Sequence, residues 1–118
     1  MANNYTDTTR NLMLAALPGT LYMSLHDIDP GQVGNNEVAG TVRQSVTLQA
    51  ASNGVRPVSE SFVDIEVNNG ETVEFIGVFT ALTGGNFIAS IEVQPTTFTQ
   101  DSVYRISDIS FDLNLTCA

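Results

Sequence analysis

The chain contains one histidine, His26, and one cysteine, Cys117, the side chains with the widest catalytic chemistry. Together they could act as a Cys-His pair in which the imidazole removes the thiol proton. The two are far apart in sequence, however, and no neighbour in sequence would activate the Cys117 thiol. A zinc site of the usual kinds needs more Cys and His ligands than the chain has. We therefore expect no nucleophilic or zinc chemistry, a surface or interface imidazole at His26, and an incidental tail cysteine at 117.

The acidic segment 27–37, DIDPGQVGNNE, could bind calcium through its carboxylates. Asp27, Asp29 and Glu37 partly reproduce the order of an EF-hand loop, but the glycine comes one position early and the twelfth position is a valine. The EF-hand pattern therefore fails. A less regular calcium site and a simply solvated acidic loop are both left open, and the Asp-Pro, Pro-Gly and Gly-Asn dipeptides predict a long exposed loop that carries contacts.

Paired carboxylates could also hydrolyse glycosides, which requires two of them to face each other across a cleft. The sequence has 13 acidic residues, so their number identifies no particular pair. Side chains such as Asp64 and Glu66 alternate with apolar ones and take outward strand positions, which is typical of a solvated or contact face. Gly84-Gly85 fits a hairpin turn rather than a phosphate-binding loop. The sequence thus indicates a protein that is not an enzyme and uses no cofactor.

The net charge of −9, with four Arg and no Lys, limits the partners further. Such a chain repels nucleic-acid phosphates and anionic lipids, so we expect neither nucleic acid nor membrane among its partners. Arginine suits fixed, planar pairing at protein contacts better than lysine does. The single cysteine permits no intrachain disulfide, which fits folding in a reducing cytoplasm.

Length and composition indicate one β-rich domain. A chain of 118 residues with 42% apolar side chains can form one core, and its low content of charged residues is made up by Thr, Asn and Ser, which favour strands and turns. One helix is expected over 7–17, capped by Thr6 or Asp7 and ended by Pro18-Gly19. Its apolar stripe is expected to pack on the sheet or on a neighbouring subunit. The stripe consists of Leu12, Met13, Ala16 and Leu17.

The remainder of the chain shows the two-residue alternation and turn signals of successive strands. We expect strands over 20–26, 42–50, 58–67, 72–82, 86–93 and 103–115. The alternating core positions are expected to be Leu21, Met23, Leu25, Val42, Val46, Leu48, Val63, Ile65 and Val67.

Three local signals refine this strand pattern. Asn68-Asn69-Gly70 predicts a hairpin that pairs the strands on either side of it. The strand over 72–82 is apolar at nearly every position after Glu74, as expected of a central strand, and Pro95 is expected to end the strand that follows. A change of phase near Ser107-Asp108 predicts a bulge or bend. The expected fold is an all-β, antiparallel β-sandwich or jelly roll, with an N-terminal arm and short helix at 1–19 and the sandwich at 20–118.

From Asn11 onward, the order of features resembles a family of short bacteriophage structural proteins labelled head decoration or tail-fibre proteins. The resemblance rests on LYMSLHDIDPG at 21–31, NEVAG at 36–40, VRQSV at 42–46 and IGVFTALTGGNFIAS at 76–90. It implies a β-sandwich component of the virion with no catalytic motif. The chain lacks a tryptophan that many members carry before the core strand.

The resemblance implies a capsid decoration, or cement, protein that binds the major capsid protein on the capsid exterior and stabilises the head, with homotrimers as the expected state. A tail or tail-fibre component that binds a tail protein is one alternative. A carbohydrate-binding attachment module is another, although it would need an exposed aromatic platform and the chain has three Tyr and no Trp. The residues expected at assembly interfaces are Asn3, Tyr5, Arg10, Leu14, Asp27, Asp29 and Arg43.

Overall fold

The computed structural model describes residues 6–112 and confirms an all-β architecture with one short helix. The elements are α1 (Asp7–Ala15), β1 (Thr20–His26), β2 (Gln44–Thr47), β3 (Val55–Pro57), β4 (Phe62–Val67), β5 (Thr72–Phe79), β6 (Phe87–Thr97), β7 (Ser102–Ser107) and β8 (Ser110–Asp112).

Every strand pairing in this part of the chain is antiparallel. A four-stranded sheet has the order β2-β1-β5-β6, and the pairs β4-β7 and β3-β8 form the second layer. The two layers are joined on the β2 side, where Ser59 donates its N–H to the Thr47 carbonyl and a bridge links Leu48 with Val58. The result is a sandwich closed at its β2 edge.

The core lies between the two layers, where alternating strand residues meet. Leu21, Leu25 and Val46 are fully buried in the four-stranded sheet, and Ile65 and Val67 are buried in the second layer. The alternation seen in the sequence therefore identifies the core face of β1, β2 and β4, because one face of each strand lies against the other layer. Val42 is an exception, since it precedes β2 and is exposed.

The helix begins as expected, with Thr6 as its N-cap accepting a hydrogen bond from the Thr9 N–H. The expected stripe is confirmed only at Leu17, which packs against the core; Leu12, Met13 and Ala16 are exposed, and Leu14 is the buried residue, at 2% exposure. The helix lies against β3 and β8 through a different face than its apolar pattern suggested. Leu14, expected at an assembly interface, is thus a core residue of this chain.

The hairpin expected at Asn68-Asn69-Gly70 is not formed. β4 pairs with β7, and β5 pairs with β1 and β6, so this turn carries the chain from one layer to the other. The turn is held by the Gly70 N–H donating to the Phe98 carbonyl and by the Asp101 carboxylate accepting from the Asn69 N–H. Residues that tolerate positive φ permit a tight turn without specifying which strands pair.

The expected hairpin between β5 and β6 is confirmed, and β5 is an interior strand as expected. Pro95 does not end β6, which continues to Thr97. A proline is tolerated there because β6 is an edge strand and Pro95 lies in a register irregularity between the Val73–Thr96 and Phe75–Glu92 pairs, where the ladder is interrupted. The three-residue strand β3 was not expected from the sequence, since only Val55 in it is strongly β-forming.

The break expected near Ser107-Asp108 is present. Asp108 has a φ of 56° and separates β7, which pairs with β4, from β8, which pairs with β3. The change of phase in the sequence therefore marks the point where the chain changes partner strands. The expected strand continued to residue 115, and its last three residues lie outside the described part of the chain.

Candidate functional site

Arg43 joins two loops over the outer face of the four-stranded sheet. Its Nη1 donates to the carbonyl oxygens of Ala81 and Gly84, each at 2.9 Å, in the turn between β5 and β6. Its Nε and Nη2 bind the two carboxylate oxygens of Glu37, at 3.1 and 2.7 Å, at the end of the 27–37 loop. A guanidinium can form all four contacts at once because its donors are planar and fixed. Expected at an assembly interface, the Arg43 side chain is only 10% exposed and acts within the chain.

The guanidinium of Arg43 packs on an aromatic cluster formed by Phe79, Phe87 and His26. The guanidinium carbon lies 3.5 Å from the centre of the Phe79 ring, which is a cation–π contact. Phe79 lies 5.0 Å from Phe87 and 6.1 Å from His26, measured between ring centres. The outer face of the four-stranded sheet is therefore covered here, and the 27–37 loop lies over it.

His26 holds the start of that loop and is fully buried. Its Nδ1 lies 2.7 Å from the Asn35 carbonyl oxygen, and its Nε2 lies 2.8 Å from the Ser24 hydroxyl. A carbonyl can only accept, so Nδ1 carries the proton and Nε2 accepts from Ser24 in the neutral ring. The expectation of a surface or interface imidazole is wrong, because the loop folds back over the polar phase of β1 and buries it.

Burial lowers the pKa of His26 below its ordinary value of 6.5. The hydrogen bond to Asn35 and the charges of Glu37 and Asp27 act in the opposite direction, and the Arg43 charge adds to the lowering. The unfolded chain therefore takes up a proton near pH 6.5 while the native chain does not, so stability is full above that pH and is lost as pH falls below it.

We expect this loss to be visible by comparing the wild type with His26→Gln in urea between pH 8 and 5.5. Carboxylates titrate in both proteins, so the difference between their free energies of unfolding isolates the imidazole. The free energy of unfolding of the wild type, minus that of His26→Gln, should decrease below pH 6.5 by up to about 1.4 kcal/mol per pH unit. NMR titration of the single imidazole should give a midpoint below 6.5. Parallel stability curves, or a midpoint at 6.5 or above, would contradict the assignment.

The middle of the 27–37 loop contains a buried proline, Pro30, and a glycine, Gly34, that lies against the Phe79 ring. Pro30 is buried, and the Asp29 carboxylate accepts a hydrogen bond from the Gly31 N–H at 2.9 Å. Gly34 has a φ of 77°, and a Cβ there would lie 2.4 Å from the Phe79 ring, so no other residue fits without displacement. Asp29 thus supports the turn of the loop, whatever further contacts it makes.

The possible calcium site receives no support from this arrangement. The Glu37 carboxylate is bound by Arg43, and Asp29 is bound by the loop backbone. Across residues 6–112, no three side chains of the His, Cys, Asp or Glu type come together as metal ligands. Asp27 is half-buried at the start of the loop, close enough to His26 to affect its pKa.

The segments that Arg43 connects carry four exposed aliphatic side chains. We call this group the loop-end surface; it consists of Ile28, Val33, Val42 and Leu82. Val33 is 68% exposed, and the other three are about half exposed or more. Sequence reasoning identified the loop but placed Val42 in the core and attached no role to Leu82. A single exposed aliphatic residue means little, whereas four on segments fixed by one buried arginine form a candidate binding surface.

The remaining expected interface residues lie at the helix or outside the described chain. Arg10 pairs with Asp7 and lies against Gly54, where a Cβ would come within 2.6 Å of its guanidinium. Asn3 and Tyr5 fall outside residues 6–112. Sequence reasoning missed Arg56, whose Nη1 donates to the carbonyls of Leu14 and Leu17 at 2.8 Å and so caps the helix.

Arg105 completes a set of four arginines that all bind within the chain. It lies directly opposite Asp64 in the β4-β7 ladder and forms two hydrogen bonds with its carboxylate, at 2.8 and 3.0 Å. This pairing lowers the pKa of Asp64, and the Thr47 N–H lowers the pKa of Glu60 in the same direction. Each of the four arginines thus has at least one hydrogen-bond partner within the chain.

Comparison with known proteins gives one family. Residues 1–114 match the family described as Podophage GP4 fiber I protein gp80. No curated protein matches the chain. Within residues 6–112, no helix has the length and apolar character that crossing a membrane requires.

Proposed function

The chain belongs to the podophage GP4 fiber I protein gp80 family, which makes it a structural protein of a bacteriophage particle, and we propose that it is a component of the tail fibre. We propose further that its loop-end surface binds another protein of the tail. The family description names a fibre protein, and it favours this assignment over the capsid decoration expected from the sequence.

The docking proposal rests on the hydrogen bonds by which Arg43 holds the 27–37 loop and the 80–86 turn together. Two loops are held by one buried arginine that makes four hydrogen bonds, so their exposed aliphatic side chains are presented in a fixed arrangement. Binding surfaces gain affinity when their contact residues are ordered before binding, because less conformational entropy is lost. Apolar residues on a fixed scaffold meet that requirement.

The proposal includes no catalytic activity. His26, the single histidine, is fully buried, and both its ring nitrogens are engaged. The proposal also includes no carbohydrate platform, since Tyr22 and Tyr104 are half-buried and one face of the exposed Phe62 ring is occupied by the guanidinium of Arg105.

We expect the double variant Val33→Glu, Leu82→Glu to lose incorporation into particles while it remains folded. Two carboxylates in a desolvated apolar contact would be costly, and the surrounding surface is already acidic. Copies per particle, measured by quantitative mass spectrometry of purified virions, should fall at least tenfold. The thermal midpoint of the purified variant should match the wild type, because both positions are exposed.

Two controls make the result specific. Val103→Glu, at an exposed position on β7 away from the loop end, should leave occupancy unchanged. Labelling of the protein in intact particles should place it on the tail. A label on the head would overturn the fibre assignment, and normal occupancy of the double variant would overturn the docking surface. Loss of occupancy on deleting residues 1–10 alone would indicate that the N-terminal arm, as expected from the sequence, makes the contact instead.

A further inference from the structure

The strand β6 is a long sheet edge that carries little charge. It has 11 residues, lies at the end of the order β2-β1-β5-β6, and has no second partner strand among residues 6–112. Its sequence, FIASIEVQPTT, contains one charged residue, Glu92, in a chain of net charge −9. Natural edges are usually blunted by charges, prolines, bulges or very short strands. β6 has register irregularities against β5 on either side of Ala89–Glu92, and Pro95 near its end, so the stretch that invites pairing is the regular, nearly uncharged one around Ile91.

The core face of the sandwich is uncovered beside this edge. A cleft of about 470 Å³ lies between β6 and the β7-β8 segment, and Met23, Ile76 and Ile106 are among its lining residues. Ile91 lines it too and pairs with the buried Ile76 in the β5-β6 ladder, so it shares the core face of the sheet. Ile91 is nevertheless 63% exposed. Among residues 6–112, the sandwich is closed at β2 and open at β6, which leaves a core-facing isoleucine exposed.

Two copies of β6 can pair antiparallel with Ile91 of one copy opposite Ile91 of the other. In this register their side chains are complementary. With Ile91 opposite Ile91 of the second copy, Ala89 would lie opposite Val93, which sets a small side chain against a larger one on the core face. On the other face, Ser90 would lie opposite Glu92, so the two carboxylates would not face each other. Pro95, which lacks an N–H, would fall just beyond the paired residues 88–94.

We propose that two copies of the chain pair through β6 in an antiparallel manner about a two-fold axis at Ile91. The two four-stranded sheets then form one continuous eight-stranded sheet, and each Ile91 is covered by the other copy. A two-fold contact uses the same surface on both copies, as this self-complementary register requires. The pairing does not use the four residues of the loop-end surface, although the 27–37 loop borders β6 at Ile88–Ser90, and it does not depend on where in the particle the protein lies.

Sedimentation velocity of the full-length protein tests this pairing. Between 1 and 100 µM the wild type should shift toward a species of twice 12.7 kDa. Ile91→Glu should sediment as a monomer over the same range. Leu12→Glu adds the same charge at an exposed helix position and should dimerise like the wild type. A wild type that stays monomeric, or an Ile91→Glu variant that still dimerises, would overturn the proposal.

Cysteine cross-linking tests the register and separates it from other occupants of the cleft. In a Cys117→Ser background, Ile91→Cys should form an intermolecular disulfide faster than Thr97→Cys, because only the former lies at the axis. A second protein, Ile91→Cys with the native Cys117 retained, tests whether the C-terminal segment lies close to residue 91. An intramolecular disulfide in that protein would show that residues 113–118 occupy the cleft and would overturn pairing between copies, as would a trimer in sedimentation.

Discussion

Replacing Arg43 by alanine is expected to lower the free energy of unfolding by roughly 3 kcal/mol, the lower end of the range for removing one partner of a buried ion pair. The substitution removes the four hydrogen bonds to Glu37, Ala81 and Gly84 and the contact with the Phe79 ring. The lower end applies because Glu37 is 31% exposed and can be partly solvated once Arg43 is gone. Urea denaturation followed by circular dichroism measures the change.

Arg105→Ala is the matched control. Arg105 also binds a carboxylate through two hydrogen bonds and also lies over a phenylalanine ring, with its guanidinium carbon 3.8 Å from the centre of Phe62. It differs in burial, being 57% exposed against 10% for Arg43. We expect Arg105→Ala to cost much less stability than Arg43→Ala, because solvent screens an exposed ion pair. Equal costs at the two positions would mean that Arg43 does not hold the loop end together.

A second measurement on Arg43→Ala links stability to the proposed function. Without Arg43, the 27–37 loop and the 80–86 turn lose their connection, so amide hydrogen exchange should accelerate in both segments and not in β4 or β7. Incorporation into particles should fall even though Val33 and Leu82 are unchanged, because their arrangement is no longer fixed. Arg43→Lys should give intermediate values, since one ammonium group cannot reach both the carboxylate and the two carbonyls in a fixed plane.

The strand pattern could be predicted from the sequence because alternation reports directly on which face of a strand is buried. Leu21 and Leu25 on β1, and Val63 and Ile65 on β4, lie in the core as their spacing indicates. Pairing could not be predicted in the same way. Asn68-Asn69-Gly70 specifies a turn, but whether the next strand returns beside β4 or crosses to the other layer depends on contacts distant in sequence.

The candidate site was harder to predict for the same reason. The 27–37 loop was identified from its turn residues, yet its burial of His26 depends on the loop folding back so that Asn35 reaches the ring, and on the Phe79 ring, which lies about 50 positions further along the chain. Arg43 was singled out as a contact residue, and its partners at Ala81 and Gly84 are about 40 positions away in sequence. A pattern of residue types identifies residues that can pair, whereas the fold decides whether they pair within the chain or with another protein.

The helix illustrates how polar residues can override an apolar stripe. Leu12 and Met13 would make an amphipathic face, but the helix turns Leu14 inward. Asn11 accepts a hydrogen bond from the Gly54 N–H at 2.9 Å, and Arg56 binds the last carbonyls. These bonds fix the rotation of a nine-residue helix whose packing area alone is small.

Replacing Gly77 by alanine is expected to lower the free energy of unfolding by roughly 3–5 kcal/mol. A Cβ at Gly77 would lie 2.5 Å from His26 Nε2 and 2.6 Å from Ser24 Oγ, directly over the buried hydrogen bond between them. Overpacking a rigid core costs about 1–3 kcal/mol, and leaving the buried imidazole nitrogen without its partner costs a similar amount. The change is measured by urea denaturation at pH 8, where the imidazole is neutral in both states.

Gly19→Ala is the matched control for the added methyl group. Its Cβ would have no atom within 4 Å and its φ is not positive, so its effect should stay within about 0.5 kcal/mol. If Gly77→Ala breaks the Ser24–His26 bond, the imidazole signals in its NMR spectrum should shift and titrate closer to pH 6.5, because the ring loses its burial along with its partner. A Gly77→Ala protein with wild-type stability and an unchanged imidazole titration would contradict the buried Ser24–His26 contact. That outcome would also remove the anchor by which β1 holds the 27–37 loop, and with it the basis for a fixed loop-end surface.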